Sequence, residues 1–152
     1  MKKLLLLTLL VLPTLELLSS LRLLSSLAFA NPYNFKITRI IDGDTVEIEV
    51  PFLPKELGNH LSIRILGVDT PEKGHRAKCE LENTQAVSAS LFTDNEVFDA
   101  KDIKIIIKSW DKYGGRILGD VILDGVPLST KLIQKGFAVP YSGKGQKKDW
   151  CK

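Results

Sequence analysis

The sequence predicts a mostly β domain of the α+β class, a five-stranded barrel with two or three helices. Three observations carry this: short runs alternate apolar with polar residues, glycine- and proline-rich turns separate the runs, and only two stretches switch to a helical period. Val46, Ile48 and Val50 alternate with Thr45, Glu47 and Glu49, the pattern of a half-buried strand. Residues 51–60 contain two prolines and Gly58 and read as a loop. Ile63 and Ile65 alternate with Ser62 and Arg64 in a second strand that ends near Gly67. Over residues 77–92, Ala77 and Leu81, then Val87 and Leu91, recur at i,i+4 and predict a helix with a ragged apolar stripe. Residues 101–109 return to β-rich sequence. Residues 111–115 form a turn, because the paired glycines accept positive φ. Residues 116–123 are the return strand, and Asp124-Gly125 marks another tight turn. Ser129 caps a short helix ending at Gly136, and residues 137–141 are a last extended piece. The order β-β, helix, β-β, short helix, β favours an OB-fold barrel.

The chain has 152 residues, room for one domain with a sizeable core. Its formal charge of +3 invites a reading as a basic nucleic-acid binder. Residues 1–30 carry three cations and one acid, however, so residues 31–152 keep only +1. Any affinity for a polyanion must come from where the charges sit. A charged fraction of 26% beside 44% hydrophobic residues excludes a disordered tail, a collagen and a multi-span membrane protein.

The first thirty residues read as an address. Lys2 and Lys3 precede an apolar run, and Ala28-Phe29-Ala30 supplies the small residues signal peptidase needs. The rival reading is a retained membrane anchor, which wants roughly 20 apolar residues. Glu16 and Arg22 would both fall inside such a span, at a cost of a few kcal/mol each. The expectation is a cleaved signal peptide at residues 1–30, a mature domain at residues 31–152, and a secreted or periplasmic location. Membrane contact is then confined to the signal peptide. An even cysteine count in an exported chain favours a disulfide between Cys79 and Cys151 over two unpaired thiols.

Three segments concentrate charge where strands end: Ile41-Asp42-Gly43-Asp44-Thr45, the stretch from Arg64 to Glu72, and the stretch from Asp111 to Arg116. Taken singly, each has a bland reading as a turn, a helix start or a solvated arginine. Parity joins them. Asp44 lies two residues before Val46 and leans toward the apolar face, where a carboxylate is costly unless wet, paired or bound to a cation. Arg64 alternates with Ile63 and Ile65 and leaves the core face. Asp69 stands just past its strand, and Pro71 frees local carbonyls. Two aspartates and a backbone carbonyl suit a hard divalent cation such as Ca²⁺.

The IDGDT, RILGVDTPE and DKYGGR stretches, continued by LIQKGFA, resemble the thermonuclease family typified by staphylococcal nuclease, over roughly residues 36–141. The resemblance implies an OB-fold and a calcium-dependent nuclease. It implies Asp44 and Asp69 as calcium carboxylates, with the Thr70 carbonyl as a further ligand and Asp42 as an acidic position behind them. Glu72 matches the residue that orients or deprotonates the attacking water, and Arg64 and Arg116 match the arginines that grip the scissile phosphate. Tyr113 and Tyr141 match tyrosines near the phosphate. Also implied are DNA and RNA as substrates, products with 3′-phosphates, and a monomer without a stable protein partner. Two features depart from the usual pattern. A second glycine precedes Arg116, to be absorbed as a bulge or to slip the strand and reverse the arginine's face. The chain also lacks the long C-terminal helix, whose anchoring role a Cys79–Cys151 bridge would take.

The rival readings are a non-catalytic nucleic-acid-binding OB-fold domain and a plain calcium-binding module. The first would have shed some of Asp44, Asp69, Glu72, Arg64 and Arg116; the second would not need Arg64 and Arg116. The lysines at 144, 147, 148 and 152 suit either a tail along a nucleic-acid backbone or a solvated terminus. Trp110 and Trp150 are candidates for base stacking, with packing on the barrel the favoured reading for Trp110, and His75 reads as a surface residue.

Overall fold

Strand β1 (Lys36–Asp42) turns at Gly43 into β2 (Thr45–Glu49), and β2 pairs antiparallel with β3 (His60–Ile65). A two-residue strand, β4 (Val68–Asp69), follows, then a 3₁₀ turn (Gly74–Arg76) and helix α1 (Glu80–Asp99). Next come β5 (Ile103–Trp110), β6 (Arg116–Leu123), β7 (Val126–Pro127), α2 (Leu128–Gln134) and β8 (Val139–Pro140). This computed structural model describes residues 32–152 apart from residues 55, 57 and 113, so the expected signal peptide and Tyr113 lie outside the described residues.

The main sheet runs β1-β2-β3-β6-β5, with β3 and β6 parallel and β7 on β6. Just before β1, Tyr33 and Ile105 of β5 exchange backbone hydrogen bonds of 2.9 and 2.8 Å. That bridge brings the two ends of the sheet together, so the curl closes toward a barrel. Val46, Ile48, Ile63, Ile65, Ile105 and Val121 fill its interior, each burial contributing roughly 1.5–3 kcal/mol. The expected α+β class, mostly strand, is what the chain adopts; five strands lie in line in the main sheet and the two-residue β7 is its sixth.

One strand differs. Residues 137–141 supply only β8, which pairs with β4 outside the main sheet. The fifth strand is β1, hidden in the sequence because two register shifts, at Ile37/Arg39 and Ile40/Asp42, break its period of two. The Asp124-Gly125 turn forms with both residues at positive φ, 49° and 84°. The short helix lacks the Ser129 cap: Pro127 is its N-cap, and the Ser129 hydroxyl donates to Asp120 Oδ2 at 2.5 Å.

Helix α1 buries a face other than the expected stripe. Leu81, Val87 and Leu91 are exposed, whereas Glu82, Ala86, Ala89 and Thr93 are buried. The reason is close approach to the β1–β2 turn, where a Cβ on Gly43 would sit 2.7 Å from Ala89 Cβ. Thr93 Oγ1 donates to the Gly43 carbonyl at 2.6 Å across the same contact. Gly43→Ala is expected to cost about 1–3 kcal/mol by overpacking, measured by urea unfolding, and to disturb the aspartates flanking it.

Cys79 and Cys151 are bridged, closing a sequence separation of 72 residues. Cys79 is also the N-cap of α1, its sulfur accepting the Glu82 N–H at 3.4 Å. Cys151→Ser is expected to lower stability by about 3–5 kcal/mol in the same assay.

Candidate active site

The acidic residues meet because three turns converge. Asp42 ends β1, Asp44 lies in the turn just before β2 and Asp69 ends β4; all three are buried. Thr70 is buried beside them, its methyl against the Gly43 turn. Glu72 rides on the following loop, which α1 braces. Glu82 Oε1 accepts the Glu72 N–H at 3.2 Å, Glu82 Oε2 accepts the Lys78 N–H at 2.7 Å, and Asn83 Oδ1 accepts the Gly74 N–H at 2.8 Å. Sequence reasoning missed Glu82. Its signal was an acid three residues after a helix N-cap, the spacing of a capping box.

Every acid in the cluster faces a cation. Arg64 Nη1 lies 2.8 Å from Asp44 Oδ1, and Arg76 Nη2 lies 2.5 Å from Asp42 Oδ2. Arg76 Nε approaches Glu72 Oε2 at 3.4 Å, while Lys73 Nζ stands 3.7 Å from Asp42 Oδ1. Lys147 Nζ lies 2.9 Å from both Asp69 Oδ1 and Glu72 Oε1. Trp150 Nε1–H completes the set, donating to Asp69 Oδ2 at 3.2 Å.

Two carboxyls are driven in opposite directions. Burial pushes the Asp44 pKa above the ordinary carboxylate value, against the opposing charge of Arg64. Burial pulls Glu72 up as well, but the hydrogen bond and charge of Lys147, helped by Arg76 and Arg64, outweigh it. Glu72 is therefore held below the usual range and is ionised at neutral pH.

A cleft of about 940 Å³ opens over this cluster, lined by Arg64, Glu72, Arg76, Trp110, Arg116 and Tyr141. Asp44 and Asp69 lie behind it, joined to its wall through Arg64 and Lys147. The second glycine does not reverse Arg116. Gly114 and Gly115 both take positive φ, 70° and 66°, and Arg116 still alternates with buried Ile117. The Arg116 guanidinium pairs with Asp111, Nε–H donating to Oδ2 at 2.7 Å. Tyr141 lines the cleft, with its hydroxyl 3.3 Å from the Gly145 carbonyl, and His75 is exposed.

The two tryptophans exchange their expected places. Trp110 is 62% exposed and lines the cleft: a bulge between Ile107 and Ser109 sets it opposite buried Ile117, but it is the last residue of β5 and stands at the open end of the sheet. Trp150 is buried against Asp69 with Lys148 Nζ 3.7 Å over its ring, so no base can stack on it. The basic tail is held through Lys147, Trp150 and Cys151, while its lysines at 144, 148 and 152 are exposed to solvent.

The residues fit a hard cation. Asp44 is fully buried, and its Oδ2 has no hydrogen-bond partner among the described residues. An orphaned buried carboxylate oxygen is costly unless a cation or water meets it. Among the described residues no three His, Cys, Asp or Glu side chains are grouped to hold a metal by themselves. Two carboxylates and a backbone carbonyl, with water completing the shell, match oxygen-loving ions better than zinc.

The family of staphylococcal nuclease homologues matches residues 62–150. A protein named a probable endonuclease from Schizosaccharomyces pombe is 28% identical over 130 residues, covering 70% of this chain and 55% of that protein. Another so named, from Podospora anserina, is 30% identical over 131 residues, covering 72% and 46%. The chain thus spans about half the length of these curated relatives. The family match takes in β3, α1, the β5–β6 hairpin and the tail that reaches Asp69, more than half of the sequence. The chain belongs to the family of staphylococcal nuclease homologues.

Proposed function

We propose that this chain is a Ca²⁺-dependent phosphodiesterase that hydrolyses DNA and RNA with little sequence preference, leaving 3′-phosphates. We place it, as a monomer, outside the cytoplasm after loss of residues 1–30. One observation carries the reading: an ionised carboxylate, Glu72, and two guanidinium groups, Arg64 and Arg116, face one cleft backed by buried Asp44 and Asp69. Relatives named probable endonucleases support it.

Phosphodiester hydrolysis is a problem of charge and position, because negative charge grows on the phosphoryl oxygens as water attacks. Asp44, Asp69 and the Thr70 carbonyl would hold the cation, whose chemistry there is to neutralise that growing charge. Glu72 accepts the proton of the attacking water, which its ionised state at neutral pH permits. Arg64 and Arg116 offer planar forks that match phosphate oxygens in bidentate fashion. Both forks are carboxylate-paired in the substrate-free cleft, so binding phosphate exchanges one anion for another.

Exposed Trp110 beside Arg116 supplies an aromatic platform for an unstacked base. Trp110→Ala is expected to weaken single-stranded DNA binding by about 1–3 kcal/mol, read as a higher KM at nearly constant kcat. The reading as a whole is tested by digesting 5′-labelled DNA and RNA oligonucleotides in Ca²⁺. Products should migrate as 3′-phosphates and shift after phosphatase treatment. Binding without cleavage would instead indicate a nucleic-acid-binding domain.

A further inference from the structure

Three of the cations around the acidic cluster come from strand β3 and the loop after β4. The fourth does not. Lys147 reaches Glu72 from 75 residues along the chain. Its Nζ bridges Asp69 Oδ1 and Glu72 Oε1, 2.9 Å from each. The segment bearing it is fastened beyond the lysine by buried Trp150, which donates to the other Asp69 oxygen, and by the Cys151–Cys79 bond. Cys79 in turn caps the helix whose Glu82 braces the Glu72 loop. The ammonium is thus presented to the carboxylate pair by a covalently anchored strap.

We propose that Lys147 is a tethered counter-cation of the cleft, occupying Asp69 and Glu72 before a divalent cation arrives and competing with that cation for Asp69. The proposal rests on the metal reading above. An ammonium and a divalent ion cannot share one carboxylate oxygen without strong like-charge repulsion, so one displaces the other. A tethered group competes at an effective concentration on the order of millimolar, which lowers the apparent affinity of any free ion. Removing both would leave Asp69 with only the Trp150 N–H and Glu72 with only the longer Arg76 contact, which is why the strap is worth having. Metal binding and tail position are therefore linked, and each must disfavour the other to the same degree.

The test is calorimetric titration of Ca²⁺, without nucleic acid, into the disulfide-bonded wild type and into Lys147→Met, which keeps the side-chain length but loses the charge. The variant should bind Ca²⁺ more tightly, by a factor within about 5–150. Reducing the Cys79–Cys151 bond in the wild type should shift affinity the same way. Equal or weaker binding by a folded Lys147→Met overturns the competition, and unchanged affinity on reduction overturns the role of the strap. A readout independent of the variant's folding is the Lys147 side-chain nitrogen resonance of wild type, which Ca²⁺ must move; a fixed resonance also overturns the competition. Absence of Ca²⁺ binding in both proteins refutes the metal reading and the proposal with it.

Discussion

Glu72→Gln should lower single-turnover cleavage of single-stranded DNA by about 10²–10⁴-fold while leaving substrate binding largely intact. The amide keeps the shape and the backbone N–H contact to Glu82, so the loop stays in place. What it loses is the ability to take a proton from water. It also releases Lys147 and Arg76 from one of their acidic partners, at little cost because both retain another in Asp69 and Asp42. Rates and binding measured separately will distinguish this from a folding defect. A loss in binding with unchanged chemistry would remove Glu72 from the role of base.

Asp44→Asn carries the second large effect, and it moves stability and activity in opposite directions. The Asp44 pKa is raised in the folded state, chiefly by burial. A raised carboxyl contributes stability that is fully present below its unfolded value, near 3.9, and is lost as pH climbs through the folded value. At neutral pH the metal-free protein therefore bears the cost of an ionised buried carboxylate with one oxygen unpaired. The neutral amide removes that cost, and the expected result is a more stable metal-free protein in EDTA, measured by thermal or urea unfolding. Cleavage should fall to near background, because the cation loses a ligand. Metal-free wild type should also become more stable as pH falls from neutral toward the unfolded value. The Asp44→Asn protein should lack that component of the pH dependence.

Much of the site was legible from local pattern. Two-residue parity put Asp44 on the core side and Arg64 off it, and the chain keeps both placements. Paired glycines before Arg116 announced a turn, and positive φ at both absorbs the additional residue. What escaped had its cause far along the chain or in an irregularity. Strand β1 hides behind two register shifts, and Trp110 stays exposed because it ends β5 at the mouth of the cleft. The buried face of α1 was missed because a close helix-to-turn contact selects Ala86, Ala89 and Thr93, while larger Leu81 and Leu91 remain outside. Lys147 and Trp150 looked like tail residues, since no local signal tells that they end 75 and 81 positions away, against Glu72 and Asp69. Charge patterning tells which groups need partners; only the fold says which partner arrives.

Cleavage in this protein requires a divalent cation acting with Glu72 at the Asp44–Asp69 carboxylates, as proposed above. The most direct measurement is the rate of single-stranded DNA cleavage by the purified, disulfide-bonded protein in Ca²⁺, then in excess EDTA, then with Ca²⁺ restored. The expected result is cleavage that stops in EDTA and returns in full with Ca²⁺. Cleavage that persists in EDTA, or none in Ca²⁺, would contradict it.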